Sequence, residues 1–169
     1  MSASDGGVRM LRITKILLIL SVVLWGLLGA LGNIEDWSGT TGAVRAVASM
    51  STFAGDAVRW RATTNPVVIT GGALFIVLFK IATAGLCLAG AWRMWASRKS
   101  DTHAFGAAKR LALAGCAVAV LSLFGGWIVI GEGWFEFWRS DALRSAGEGA
   151  FRYGGFIALI ALIVGSRDD

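Results

Sequence analysis

The sequence predicts an all-α fold, an integral-membrane four-helix bundle with a short amphipathic, interfacial helix in its first outer loop. Three observations carry that reading. The 169 residues are 56% hydrophobic and only 16% charged, with mean hydropathy +0.66, too apolar for a soluble domain. Four apolar runs, at approximately 12–32, 66–95, 104–130 and 146–165, match the roughly 20 residues needed to cross a hydrocarbon core as a helix. The basic residues flank these runs and form no stripe interleaved with exposed aromatics. The net charge of +5 therefore speaks for membrane topology and against nucleic acid. Residues 1–169 read as one domain.

The first run follows Arg9, Arg12 and Lys15. A basic stretch before an apolar run also suits a signal peptide, with Leu28–Gly32 as its small-residue site. The length of the run and the three spans after it favour a retained helix. Gly26, Gly29 and Gly32 recur every three residues and make a smooth face for close helix contact, here expected with a partner. The loop at 33–65 balances Glu35, Asp36 and Asp56 against Arg45, Arg59 and Arg61. Within it, Val44, Val47, Ala48, Met50 and Phe53 fall at amphipathic spacing over Thr40–Phe53, with Trp37 and Trp60 as interfacial anchors. Arg59 and Arg61 suit either an anionic head group or a local ion-pair network with Asp56.

Asn65 is a good N-cap, and Pro66 fits the first helical position. Trp92, Arg93 and Trp95 suit the far interface. Midway between these ends stands Lys80. A lysine at the bilayer centre costs about 2.5–3.5 kcal/mol on insertion scales, and its stem should fall short of either interface. The interiors of the other three runs hold no Asp or Glu, the nearest acid being Glu132 at the end of the third. The ammonium is expected to find backbone carbonyls in a locally thinned bilayer, an acid or phosphate from another subunit or a lipid, or an ion path.

Ala96–Lys109 reads as a short polar hairpin loop. Arg93, Arg98, Lys99, Lys109 and Arg110 outnumber its one acid, Asp101, and His103 is a solvated loop residue. Leu111–Ile130 is the third span, with Gly115 and Ala119 as a small-residue packing pair. Cys87 and Cys116 should sit at similar depth as free thiols. Gly131–Arg152 is a second outer segment, rich in aromatics, with Trp134 and Trp138 at the head groups. Ser145 and Glu148 have capping-box spacing, which starts the fourth helix there and carries it to Gly165. Bases close to span ends favour the cytoplasm, so four spans place both termini inside.

No catalytic constellation is legible. The single histidine lies in the basic hairpin, no Gly-rich phosphate loop follows a strand, and Met10 and Met94 sit at interfaces where an axial haem ligand is not expected. Glu132 and Glu136 stand one helical turn apart, as a hydrolase pair would, but the tryptophans beside them favour an interfacial helix. No cofactor or metal is expected.

The chain resembles the bacterial "predicted small integral membrane protein" family, a four-span domain of unknown function. Asn33–Trp37, Ser49–Phe53, Trp60–Thr63 with Pro66, Cys87–Ala91, Phe105 with Lys109 and Arg110, Gly131–Ser140 and Ala150–Arg152 carry the resemblance. It implies a topology and no activity. The expected function is that of a non-enzymatic accessory subunit of a larger membrane complex, a transporter or respiratory assembly in the bacterial inner membrane. Its partners would be lipids and other membrane subunits, met through Gly26, Gly29, Lys80, Trp134 and Trp138. The alternative is a small transport or anionic-lipid-binding protein using Lys80 with Arg59 and Arg61.

Overall fold

The computed structural model describes residues 3–53 and 59–168, leaving aside the side chains of residues 3–5 and 59. Every regular element among them is helical: α1 (Ala3–Glu35), α2 (Trp37–Ser49), a 3-10 turn (Arg59–Arg61), α3 (Pro66–Ala96), α4 (Thr102–Ala108), α5 (Arg110–Val120) and α6 (Asp141–Gly165). A π-helix, Leu121–Trp134, continues α5, and a second 3-10 turn, Phe137–Arg139, precedes α6. Four stretches are long and apolar enough to cross a membrane: Gly6–Glu35, Pro66–Ala96, Thr102–Trp134 and Asp141–Gly165.

α3 packs between α1 and α5, and α6 closes the ring against α5, its π-helical continuation and α1. Small residues make the closest approach. A Cβ on Gly90 would stand 2.3 Å from the Ala112 backbone nitrogen, and one on Gly115 would stand 2.5 Å from Cys87 Sγ. Helices in lipid gain no hydrophobic force from each other, so such backbone proximity supplies the packing. Cys87 and Cys116 are free and fully buried at this contact. The start of α1, the segment after α6 and the α3–α4 turn lie at one end, the terminal end. α2 and the two 3-10 turns lie at the other, the far end.

Several local readings hold, and others are corrected. Asn65 Oδ1 accepts from the Val67 amide at 2.9 Å, with Pro66 beginning the helix. The amphipathic helix forms but runs over Trp37–Ser49, because Asp36 Oδ1 caps it by accepting from Gly39 N at 2.9 Å. It stops where Met50 turns left-handed at φ 52° and buries its side chain with Phe53, Phe137 and Leu143. Most of the expected polar hairpin is helical. Asp101 caps α4 through Ala104 N at 2.8 Å, and Phe105 is fully buried there. The fourth helix starts at Asp141, ahead of the Ser145–Glu148 box. An acid in the first turn suits the positive end of the helix dipole, and buried Leu143 anchors that turn.

Candidate functional site

Lys80 has companions in its own chain. Its ammonium donates to the Gly29 carbonyl at 3.3 Å and to Asn33 Oδ1. Asn33 is fixed for this role: its amide nitrogen donates to Thr40 Oγ1 at 2.8 Å, and that hydroxyl donates to the Asn33 carbonyl at 3.1 Å. With the nitrogen engaged on α2, the oxygen faces the lysine. Asn33 lies in the last turn of α1, where the helix dipole is negative and favours a cation. The ammonium also stands 6.0 Å from the Trp25 ring centre. The oxygen partners of Lys80 thus come from the sister helix α1, whose apolar run offered no acid. Its stem runs towards the far end and meets uncharged oxygens, one of them a backbone carbonyl as expected.

Gly26 and Gly29 serve the same contact. A Cβ on Gly26 would stand 2.9 Å from the Lys80 carbonyl oxygen, and one on Gly29 would stand 3.1 Å from the Lys80 ammonium. These glycines are used inside the bundle, against α3.

At the far end Arg61 pairs with Glu136, which also takes Arg139 at 3.1 Å. The Arg61 guanidinium lies 5.7 Å from the Trp60 ring and 5.4 Å from the Trp134 ring, and the two rings meet edge to face at 5.6 Å. Glu136 holds a left-handed backbone, φ 53°, which turns the chain sharply out of the π-helix. The Arg59 side chain and the whole of Asp56 lie outside the described residues. Trp134 and Trp138 are half exposed. The structure therefore brings Arg61 and Trp134 together and leaves Lys80 elsewhere.

The sequence reading missed the terminal end. Lys15, 0% exposed, donates to Asp168 Oδ1 at 2.6 Å and to the carbonyls of Ser166 and Arg167 at 2.8 and 3.1 Å. Lys109 donates to Asp168 Oδ2 and, at 2.9 Å, to the Ser166 carbonyl. Arg12 donates to the carbonyls of Arg98 and Ser100 at 3.2 and 2.6 Å, and its guanidinium lies 4.7 Å from the Phe105 ring centre. Burial works against the charge of Asp168. The hydrogen bonds and charges of Lys109 and Lys15 outweigh that burial and hold its carboxyl below the usual carboxylate range. Bases counted only as topology signals are therefore fixed structural contacts. An acid three residues past the last span was the one available signal.

A cavity of about 360 Å³ opens between α3 and the π-helix, roofed by Val44, Val47 and Ala48 of α2. Its lining is apolar apart from Ser122, whose hydroxyl donates to the Ala119 carbonyl at 2.9 Å. Among the described residues no three of His, Cys, Asp and Glu gather as a metal site.

The model of the family described as "predicted small integral membrane protein", a domain of unknown function, matches residues 11–167. No curated protein and no solved structure matches the chain.

Proposed function

The chain belongs to the predicted small integral membrane protein family, and from that premise we propose that it is a non-enzymatic accessory subunit of a larger membrane complex. The observation that carries this is the charge state of the Lys80 contact. Its hydrogen-bond partners are neutral oxygens, and among the described residues it makes no salt bridge. Hydrogen bonds take two of the three N–H donors, while the positive charge inside the span stays uncompensated. On the same helix Ala82, Gly85 and Ala89 are exposed at i, i+3 and i+7, and a Cβ on Gly85 would meet nothing within 4 Å. A partner helix could approach closely along that face, which lies roughly opposite Lys80 around α3 at about 100° per residue, so a partner carboxylate for Lys80 would come from a second segment beside α1. Two separate contacts then replace Gly26 and Gly29: Lys80 for a carboxylate and this stripe for helix packing.

The setting we infer is a bacterial inner membrane with both termini cytoplasmic, which Arg9, Arg98, Lys99 and Arg110 at the terminal end support. The test is co-purification in mild detergent of tagged wild type, Lys80→Met and Gly85→Leu. The expected result is normal insertion of both variants, with reduced partner recovery from each. Equal partner recovery from all three overturns the reading. The anion-binding alternative has less support, since Arg61 is held by Glu136 and neither Arg61 nor Lys80 lines the cavity.

A further inference from the structure

The cavity between α3 and the π-helix has the size, depth and chemistry for a single hydrocarbon chain. Towards the terminal end α3 and α5 touch backbone to backbone, as Gly90 and Gly115 require. Beyond Val120 the helix winds more loosely as a π-helix, visible in the five-residue hydrogen bond from Phe135 N to the Ile130 carbonyl at 3.0 Å. Ser122, Gly126, Gly131 and Phe135 recur every four or five residues, and all four line the cavity. The looser winding thus keeps one stripe facing α3 over several turns. Two members of that stripe have no side chain, and Gly71 and Gly72 line the cavity from α3. The two walls part while the groove between them stays unfilled.

Dimensions select the occupant. The α3 wall from Val68 to Ile76 spans about 12 Å at 1.5 Å per residue, close to one leaflet of a hydrocarbon core about 30 Å thick. A spanning helix runs about 30 Å, whereas this cleft is closed at one end by the α2 roof and at the other by the α3–α5 backbone contact. A second helix therefore does not fit, whereas one acyl chain does. Val68, Phe75 and Ile130 line the cavity and remain 45%, 37% and 51% exposed, so it opens sideways, where a spanning bundle meets lipid. The α2 roof closes it towards the far-end water. A chain enters from the leaflet and its head group stays outside, beside the Trp60 and Trp134 belt.

We propose that this cleft is a lipid site that takes one acyl chain of a phospholipid from the far-end leaflet. It is independent of the subunit reading, because Lys80, Ala82, Gly85 and Ala89 lie outside it.

The test uses the full chain in nanodiscs of phosphatidylethanolamine and phosphatidylglycerol, with a phospholipid carrying a mid-chain diazirine. Crosslinks are mapped by mass spectrometry. Wild type is expected to be labelled chiefly on 68–76 and 122–131. Gly71→Leu fills the cleft, since a Cβ there meets nothing within 4 Å. It should lower labelling about tenfold, the equivalent of roughly two displaced methylenes. Gly155→Leu, also in open space but on α6, should leave labelling unchanged. Labelling spread evenly over the lipid-facing surface, or unaffected by Gly71→Leu, overturns the proposal. If Gly71→Leu fails to fold, the wild-type map alone decides. A free fatty acid with the same diazirine is the second probe, and labelling by it alone overturns the phospholipid assignment.

Discussion

Lys15 and Asp168 are separated by 153 positions, yet the lysine Nζ lies 2.6 Å from Asp168 Oδ1, both side chains almost wholly buried. With Lys109 on the other carboxylate oxygen, one acid joins the first half of α1, the start of α5 and the segment after α6. Removing a buried partner leaves the remaining charges unpaired, which costs about 3–5 kcal/mol. Asp168→Asn is expected to lower the thermal unfolding midpoint in detergent clearly. A midpoint equal to wild type would show that the carbonyls of Ser166 and Arg167 suffice for Lys15.

The same acid sets a pH dependence. Its folded pKa is depressed, so its contribution is complete above the ordinary carboxylate pKa of about 3.9 and is lost as pH falls through the lower, folded value. Unfolding midpoints should hold from neutrality down to about pH 5 and fall below about pH 4. That acid-side fall should be smaller in Asp168→Asn. An identical fall in both proteins would assign the acid sensitivity to other carboxylates.

Asn33 and Lys80 should be energetically coupled. Asn33→Ala removes an acceptor from a charged donor inside a span, a loss of about 1.5–3 kcal/mol. Lys80→Met removes the need for that acceptor and should cost much less. In the double variant the Asn33 effect should nearly vanish, a coupling that a double-mutant cycle on unfolding reads directly. Additive effects would mean that Asn33 acts through Thr40 and α2 alone.

Glycine positions should divide by what surrounds them. Gly90→Ala pushes a methyl onto the Ala112 backbone, which cannot withdraw as a flexible side chain can. Overpacking of that kind costs about 1–3 kcal/mol. Gly155→Ala meets open space and should be neutral or slightly stabilising, as alanine is the better helix former. Thermal unfolding of the two variants side by side separates them, and equal midpoints would contradict the α3–α5 contact.

Glu136 should hold the far-end cap together. Glu136→Gln keeps the shape but releases Arg61 and Arg139 from their ion pairs. Partly buried pairs of this sort are worth about 1 kcal/mol or somewhat more. Limited proteolysis should then cut near residues 59–65 or 136–140 faster than in wild type, with the spans still protected. Unchanged cleavage would show that the stacking of Trp60, Trp134 and Arg61 holds the cap alone.

By itself the sequence determined the parts that depend on local chemistry. Apolar runs of spanning length specify helices because no other open backbone can satisfy its polar groups in lipid. Asn65-Pro66 specified the start of α3, and the spacing of Val44, Val47 and Ala48 specified α2. Four spans, and with them both termini at one end, followed from the same count. Tertiary structure decided everything that depends on distant residues meeting. Nothing local to Lys80 indicates that Asn33, 47 positions earlier, would present an amide oxygen to it, and nothing local to Lys15 points to Asp168. Gly26 and Gly29 read equally well as an outer face or an inner one, because a glycine stripe records that something comes close without recording what. The loosening of the third span into a π-helix, and the cleft it opens, were likewise invisible: apolar composition is the same whether a helix winds by four residues or by five.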